Sequence, residues 1–412
     1  MTIKFRDYDA GRDKAAVLRI WREVAWLKGD DRKREESLAR FVTCGRARVA
    51  EVDGEAECLI NTAPGTLRYI DRDLSFSGVM GVATSRVARK QGLASRLLAS
   101  TLAQDAADGA LVAGLGIFEQ GFYNQLGFGN GGYEHWFVFD PAQLRVDVRA
   151  RIPRRVTQDD WEAMHKSRLA RWRGHGSLSF TPPEVTEIDV ALTDGGFGLG
   201  YYDGSDGELT HHIWCRAQGE HGPYSVRWMS YQTPGQFLEL MALIHNLSDQ
   251  VRQVQMCEPP AIQLQDIIGQ PFRQWGVGEE PVDSQIHALA NWQMRICDLP
   301  GCLAQTCLPG DGIDFNLVLS DPIARFLPDD APWRGVAGDY VVTLGPSSRA
   351  DPGTDSSLPT LAASVGAFTR LWFGVRPATG LAVTDELSGP PELLDALDRA
   401  LRLPDPQLDW DF

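Results

Sequence analysis

The residues with the clearest chemical potential lie in one short stretch, Arg89-Lys90-Gln91-Gly92-Leu93-Ala94. An apolar, strand-like run, Val79 to Ala83, gives way at Thr84-Ser85-Arg86 to this basic loop. The loop opens directly into Ser95-Arg96-Leu97-Leu98-Ala99-Ser100-Thr101-Leu102, which reads as a helix. A strand that feeds a helix N-terminus through a short loop leaves several backbone N–H groups converging on one spot, with the helix dipole adding partial positive charge there. Such ends bind anions, pyrophosphates above all. On the residues alone two readings stay open: an anion cradle, or a basic surface connection in water. A second glycine-rich run, Gly127-Phe128-Gly129-Asn130-Gly131-Gly132, matches G-x-G-x-x-G. The dinucleotide fingerprint needs a strand before it and a helix after it. Here a short helical turn precedes and a strand-like Glu134–Phe139 follows, so these glycines are read as permitting a tight reversal.

Metal and nucleophile patterns are weak. The seven cysteines show no paired CxxC spacing, and no histidine follows Cys297, Cys302 and Cys307 at a zinc-ligand distance, so they read as free thiols of a reducing compartment. His211, His212 and Cys215 read as strand residues, and His135 as a structural histidine.

The elements that must position the loop follow from periodicity. Ile3 and Phe5 alternate with polar residues and predict a first strand. Ala16, Val17, Ile20, Trp21, Val24 and Leu27 are spaced at three and four and predict a helix over 12–28, with Trp26 on its flank. A second helix is expected from Arg34 to Val42. Arg46–Val52 and Ala56–Asn61 around Asp53-Gly54 predict a hairpin. Leu67–Ile70, Leu74–Val82 and Ala110–Leu115 are expected strands, Phe122–Leu126 a turn or two of helix, and Tyr133–Phe139 a closing strand. From Val156 a second unit begins, with a helix capped by Thr157, strands at 199–202, 209–216 and 224–231, a helix opened by Thr233-Pro234-Gly235-Gln236, and a strand at 253–257. It repeats the strand–helix–strand order of 79–115 without the basic loop. A third composition begins at Asn291-Trp292-Gln293-Met294-Arg295-Ile296. It carries strands at 312–319 and 338–344, a loop at 346–358, helices at 360–372 and 391–401, and an extended, proline-marked tail ending at Phe412.

At 412 residues the chain exceeds the size at which one core keeps growing, so two or three domains are expected, here 1–145, 146–290 and 291–412. The net charge of −15 argues against a nucleic-acid partner. It is unevenly placed: residues 1–145 hold 20 Lys/Arg and 19 Asp/Glu, so the near-neutral N-terminal part is the better home for a polyanionic ligand and the acidic remainder suits a cationic substrate. No run approaches a membrane span and the N-terminus has no apolar signal region, which predicts a cytoplasmic protein without a membrane partner.

Three separated features resemble the Enhanced intracellular survival (Eis) family of GNAT N-acetyltransferases. They are the loop at 82–94, which has the Arg/Gln-x-x-Gly-x-Gly/Ala form of the GNAT acetyl-coenzyme A loop, the run Phe122-Tyr123-Asn124-Gln125-Leu126-Gly127-Phe128-Gly129, and a chain that stops on an aromatic residue after an acidic one. The resemblance implies an α+β (mixed α/β) protein with an active GNAT domain, a second, degenerate GNAT domain and a C-terminal domain similar to sterol carrier proteins. It implies acetyl-coenzyme A as co-substrate and no metal. Val82 and Thr84 would offer backbone groups to the pantetheine arm and the thioester, and Arg89, Lys90, Gln91, Gly92, Leu93 and Ala94 would cradle the pyrophosphate. Tyr123 would be the general acid and the carboxylate of Phe412 the base, with Glu23 and Trp26 at the acceptor pocket. The acceptor would be a primary amine of a small cationic molecule (an aminoglycoside-like compound, a polyamine or an arylalkylamine) or a protein lysine, and the assembly a homo-oligomer, a hexamer by the family pattern. The alternative is a lipid- or sterol-binding carrier with a vestigial acyltransferase domain.

Overall fold

The computed structural model describes residues 2–28, 31–117, 119–271, 274–277 and 280–411. In chain order the first elements are β1 (Ile3–Asp7), α1 (Ala10–Glu23), α2 (Arg32–Thr43), β2 (Arg46–Val52), β3 (Glu55–Tyr69), β4 (Arg72–Thr84), α3 (Leu93–Ala107), β5 (Val112–Gly116) and β6 (Gly129–Asn130). There follow β7 (Glu134–Phe139), β8 (Arg154–Val156), α4 (Trp161–Ala170), β9 (Leu178–Phe180), α5 (Glu184–Ala191), β10 (Gly196–Tyr201), β11 (His211–Ala217), β12 (Tyr224–Ser230), α6 (Pro234–His245) and β13 (Val254–Cys257). The last part holds β14 (Gln274–Val277), β15 (Glu280–Asp283), β16 (Gln285–Leu289), β17 (Trp292–Ile296), α7 (Leu299–Ala304), β18 (Ile313–Ser320), β19 (Gly338–Leu344), β20 (Arg349–Pro352), β21 (Thr360–Ser364), α8 (Val365–Trp372), α9 (Ala378–Thr384), β22 (Leu387–Ser388) and α10 (Pro391–Ala400). Among the described residues, no helix is long and apolar enough to cross a membrane.

The protein is mixed α/β. Residues 1–132, 175–182 and 291–412 form one compact unit, and 133–174 with 183–290 another. The first unit therefore takes in most of the expected segment 1–145 and all of 291–412. Its main sheet runs β1-β2-β3-β4-β5-β17-β6, with β9 on β3. The helix predicted at 12–28 is α1, opened by Asp9, whose carboxylate accepts from the N–H groups of Gly11 and Arg12. The predicted hairpin turns at Asp53 and Gly54, both at positive φ. Ala56–Asn61 and Leu67–Ile70 are expected as separate strands, yet β3 is continuous over 15 residues, through Pro64 and Gly65. It can be, because β2 leaves β3 at Thr62 and β9 joins at Gly65, so the missing Pro64 N–H falls between the two ladders, while the Pro64 carbonyl still accepts from the Thr181 N–H at 3.0 Å.

One expectation is corrected. Tyr133–Phe139 does not close the first sheet. The strand β7 lies in the other unit, between β16 and β13, and β17 occupies the place beside β5. Burial explains the choice: all five residues of β17 are buried, as a strand flanked on both edges and covered on both faces requires, whereas β7 is only half buried. A second correction concerns 360–372. Thr360–Ser364 is strand, parallel to β18, with Leu361 and Ala363 buried in alternation, and the helix starts only after Ser364, whose hydroxyl accepts from the Ala367 N–H. The predicted loop 346–358 likewise contains a short strand, β20, on β19.

The five-stranded sheet β20-β19-β18-β21-β22 belongs to the first unit. Its helix α8 is bonded to the main sheet: Tyr69 stacks on Trp372 at 4.4 Å and its hydroxyl donates to the Trp372 carbonyl at 3.0 Å. The second unit has the sheet β16-β7-β13-β12-β11-β10-β8. There β10, β11 and β12 are antiparallel and α6 links β12 to its parallel neighbour β13, the order that β2, β3, β4, α3 and β5 show in the first unit.

Candidate active site

The site is built on β4. This strand pairs with β3 along its whole length, from Tyr69↔Arg72 to Cys58↔Thr84, but with β5 only from Phe76↔Val112 to Val79↔Leu115. Beyond Val79 the two parallel strands part, and among the described residues Met80 to Thr84, including Val82 and Thr84, have no strand on that side. A register shift sets the point of parting: Asn61 faces Gly81 while Thr62 faces Val79, so Met80 is a bulged residue. A bulge bends its strand and raises the local twist. The result is a slot between the parted strands.

The chain leaves β4 through buried Ser85 and a short 3-10 turn, Arg86–Ala88. Lys90 (φ 59°) and Gly92 (φ 70°) then take left-handed conformations. A side chain at Gly92 would meet nothing within 4 Å, so the glycine is required for its backbone angle and not for want of room. No side chain caps α3. The first-turn N–H groups of Leu93, Ala94 and Ser95 are thus left for a ligand, at the positive end of a 15-residue helix. Arg89, Lys90 and Gln91 are exposed around them, while Ala88 and Leu93 anchor both ends of the loop in the core. Orphan amides, flanking cations and the slot beside β4 fit an extended polyanion carrying a flexible arm, as acetyl-coenzyme A does.

Tyr123 is 2% exposed and sits in the same apolar cluster as Ala88, Leu93 and Leu97, with Val82 and Ala94 packed against it. Its ring is 4.9 Å from Phe122 and 6.2 Å from Phe128, both edge-on. Burial, helped by the charge of Glu119, holds the phenol above its ordinary value, so it stays protonated across the neutral range. The structure therefore places Tyr123 in the same core cluster that anchors both ends of the loop and against which Val82 packs. Phe412 lies outside the described residues. The tail is fixed up to it: the Gln407 N–H donates to the His175 carbonyl, the Leu178 N–H donates to Asp409, and Trp410 packs edge-on against Phe180 at 5.7 Å. Phe180 in turn fills the space that a side chain on Gly78 of β4 would need.

Glu23 ends α1, and its carboxylate accepts from the Arg86 N–H at 2.7 Å, tying that helix to the start of the loop. Trp26 is 41% exposed and packs edge-on against buried Trp21 at 5.2 Å. Trp21 comes within 3.7 Å of where a Gly81 side chain would begin, so its indole lies against β4 at ordinary van der Waals distance.

The second unit offers no comparable cradle among the described residues. Its helix α6 is capped by the Thr233 hydroxyl, which accepts from the Gln236 N–H, and begins with Pro234, so fewer N–H groups are orphaned. Asp203, His211 and Glu239 lie within 4.8 Å of one another, but Arg151 bridges both carboxylates at 2.7 Å and holds Glu239 down to about 2. Ser167 and His212 form a pair at 3.1 Å that cannot act as nucleophile and base. The Trp228 indole donates to His212 Nε2, so Nδ1 carries the proton and donates to Ser167 Oγ.

Residues missed by sequence reasoning are those that hold the Tyr123 loop from far along the chain. Gln293 Nε2 donates to Asn124 Oδ1 at 3.1 Å, and Arg295 donates to the Leu126 carbonyl while pairing with Asp321 at 2.6 Å, both partners fully buried. The available signal was polar Gln293 and Arg295 alternating with Trp292, Met294 and Ile296.

Residues 10–131 match the family model of the GNAT acetyltransferase domain. No curated protein matches the chain significantly. Among solved structures the chain is similar over 100% of both lengths to a "Probable N-Acyltransferase" of Enterococcus faecalis (18% identity, TM-score 0.81). It is similar to a GCN5-related N-acetyltransferase of Kribbella flavida (19%, 0.73), again over 100% of both chains. It is also similar to Eis1 of Mycobacterium abscessus over 100% of both chains (16%, 0.75). Residues 10–131 are thus a GNAT acetyltransferase domain, and the chain as a whole has an Eis-like fold.

Proposed function

We propose that the protein transfers the acetyl group of acetyl-coenzyme A to a primary amine of a cationic small molecule or to a protein lysine. The observation that carries this reading is the uncapped, Gly92-turned N-terminus of α3 opening beside the parted strands β4 and β5. Val82 and Thr84 hold the pantetheine arm, and Arg89 to Ala94 hold the pyrophosphate. A free amine near pKa 10 is mostly protonated at pH 7 and must lose a proton before it attacks the thioester carbonyl. The carboxylate of Phe412 takes that proton, directly or through water. Backbone N–H groups at the open end of β4 hold the developing oxyanion, and Tyr123 gives its proton to the departing sulfur as the carbon–sulfur bond breaks. Tyr123 is supported by its burial in the core cluster against which Val82 and Ala94 pack, and the terminal base by a tail anchored at Trp410.

On this reading segment 1–145 is the catalytic part, 146–290 is a degenerate GNAT repeat and 291–412 is sterol-carrier-like, in a cytoplasmic homo-oligomer, a hexamer by resemblance. Glu23 and Trp26 border the acceptor pocket, and the acidic balance outside the first segment favours a cationic acceptor. Incubating the full chain with acetyl-coenzyme A and a panel of aminoglycosides, polyamines, arylalkylamines and lysine peptides, while following thiol release, tests the class. Turnover with an amine supports it, and absence of turnover with all of them refutes it. A version extended by several residues beyond Phe412 is expected to lose most of its rate; full activity in that form removes the terminal carboxylate from the mechanism.

A further inference from the structure

The segment that carries Tyr123 has no regular structure of its own to hold it. It is one 3-10 turn, Asn124–Leu126, in a connection between β5 and β6. Those two strands do not touch each other: β17 lies between them. Both stems of the connection are therefore tied to this one strand. On one side β5 pairs with it from Trp292↔Gly116 to Ile296↔Val112, and the Ile117 N–H donates to the Asn291 carbonyl at 2.7 Å. On the other side β6 pairs through Gln293↔Asn130 and Met294↔Gly129, and the Gly131 N–H donates to the Trp292 carbonyl at 2.9 Å.

Side chains from the same strand reach into the turn. Gln293 Nε2 donates to Asn124 Oδ1, next in sequence to Tyr123, and to Asn130 Oδ1. Asn124 uses the same oxygen to accept from the Gly121 N–H and its amide nitrogen to donate to the Phe128 carbonyl, so it spans the turn from before Tyr123 to after it. The carbonyls that close the turn are taken by two arginines: Arg325 donates to Gln125, and Arg295 to Leu126. Arg295 is itself oriented by Asp321, whose carboxylate also accepts from the N–H groups of Ile323 and Val336. Gly127, at φ 84°, lies so close to this pair that a side chain there would begin 2.8 Å from Arg295 Nη1. Burying an ion pair completely is costly, and replacing such a pair with apolar groups is often neutral or stabilising. Stability alone therefore does not account for Arg295 and Asp321, whereas fixing a turn whose carbonyls have no helix to bond does.

We propose that Gln293 and Arg295, with Asp321 orienting the arginine, are positioning residues for Tyr123, so that the acid's aim is set by a strand more than 160 residues downstream. The proposal rests on the reading of Tyr123 as general acid. Its test is a mutant cycle in the full-length protein using Gln293→Leu, which fits a buried site, and Tyr123→Phe, with Arg295→Lys as a second probe of the fork. Gln293→Leu is expected to lower kcat about 10- to 100-fold, the scale on which a misplacement of about 1 Å acts. The dissociation constant for acetyl-coenzyme A should stay within about twofold, since the α3 cradle is untouched. In the Tyr123→Phe background the same substitution should change kcat less than about twofold, because residues that act as a unit are non-additive. An equal loss in both backgrounds, or no loss in the first, overturns the proposal. Labelling the tyrosine rings and titrating Tyr123, assigned by its absence in Tyr123→Phe, separates this idea from the acid reading. If Tyr123→Phe leaves the rate intact while Gln293→Leu and Arg295→Lys move the phenol's titration toward its ordinary value, positioning stands and the acid role falls. A titration unmoved by both variants refutes positioning.

Discussion

Replacing Gly92 with alanine separates the cost to the fold from the cost to the coenzyme site. Gly92 has φ 70°, and an L-residue in the left-handed region costs roughly 1–2 kcal/mol. No steric term adds to this, since an alanine methyl would meet nothing within 4 Å. Alanine also restricts the unfolded chain, which returns about 0.4–1 kcal/mol. The net loss of stability is therefore about 1 kcal/mol. Binding suffers more. The turn at Gly92 aims the N–H groups of Leu93, Ala94 and Ser95, and a hydrogen bond to a charged group contributes about 1.5–3 kcal/mol. Misaiming one of them weakens acetyl-coenzyme A about 10- to 100-fold. Calorimetric titration of acetyl-coenzyme A and urea melts of the same preparations measure the two quantities. Acetyl-pantetheine, which lacks the pyrophosphate, is the internal control: its KM should be the same in both proteins. An unchanged dissociation constant for acetyl-coenzyme A in Gly92→Ala, or an equal rise in KM for acetyl-pantetheine, would refute the assignment of the α3 cradle to the pyrophosphate.

Two further outcomes concern stability. His175 is buried with Nδ1 accepting from the Ile70 N–H and Nε2–H donating to the Phe373 carbonyl, and burial pushes it down to about 4. Its folded value lies below the unfolded one near 6.5, so the stability it contributes is complete above pH 6.5 and is lost as pH falls toward 4, by about 1.4 kcal/mol per pH unit. His175→Gln keeps one donor and one acceptor but does not titrate; urea melts between pH 6.5 and 5 should show a slope smaller by about one proton, and an unaltered slope removes His175 from the acid response. Asp321→Ala leaves the Arg295 guanidinium buried without its counter-charge and should cost about 3–5 kcal/mol, whereas the double replacement Arg295→Met with Asp321→Leu should cost less. Equal losses would show that the charge of Arg295 is neutralised elsewhere.

The loop at 89–94 was legible because its signals are local. A strand, a basic loop with one glycine at a left-handed angle and an uncapped helix all lie within about 25 residues, and periodicity reports local conformation well. The capped start of α6 was legible for the same reason: Thr233 and Pro234 adjoin the helix they open. The swap of β7 and β17 was not legible. Tyr133–Phe139 read as a strand and Asn291–Ile296 only as the start of a new composition, and the choice of partner rests on burial from the two faces, which no window of sequence contains. Thr360–Ser364 misread as helix because Leu361, Ala362 and Ala363 are good helix formers; pairing with β18 overrode that preference. Gln293 and Arg295 escaped notice because their worth lies in the side chains of Asn124 and Asn130, the Leu126 carbonyl and an aspartate at 321.

The strand exchange bears on how the chain comes to life on the ribosome. When β5 emerges, its outer edge has no partner, and β6 has none at all until β17 is made. At a synthesis rate of about 5–20 residues per second, the stretch from Gly116 to Trp292 occupies roughly 10–35 s. During that interval the nascent sheet exposes an open edge able to recruit any extended chain nearby, and late, long-range pairing of this kind is slow. The main sheet is therefore completed only once about 296 of the 412 residues are made, and arrest of synthesis before residue 292 leaves a fragment that holds the loop at 89–94 but lacks the strand needed to finish the fold around it.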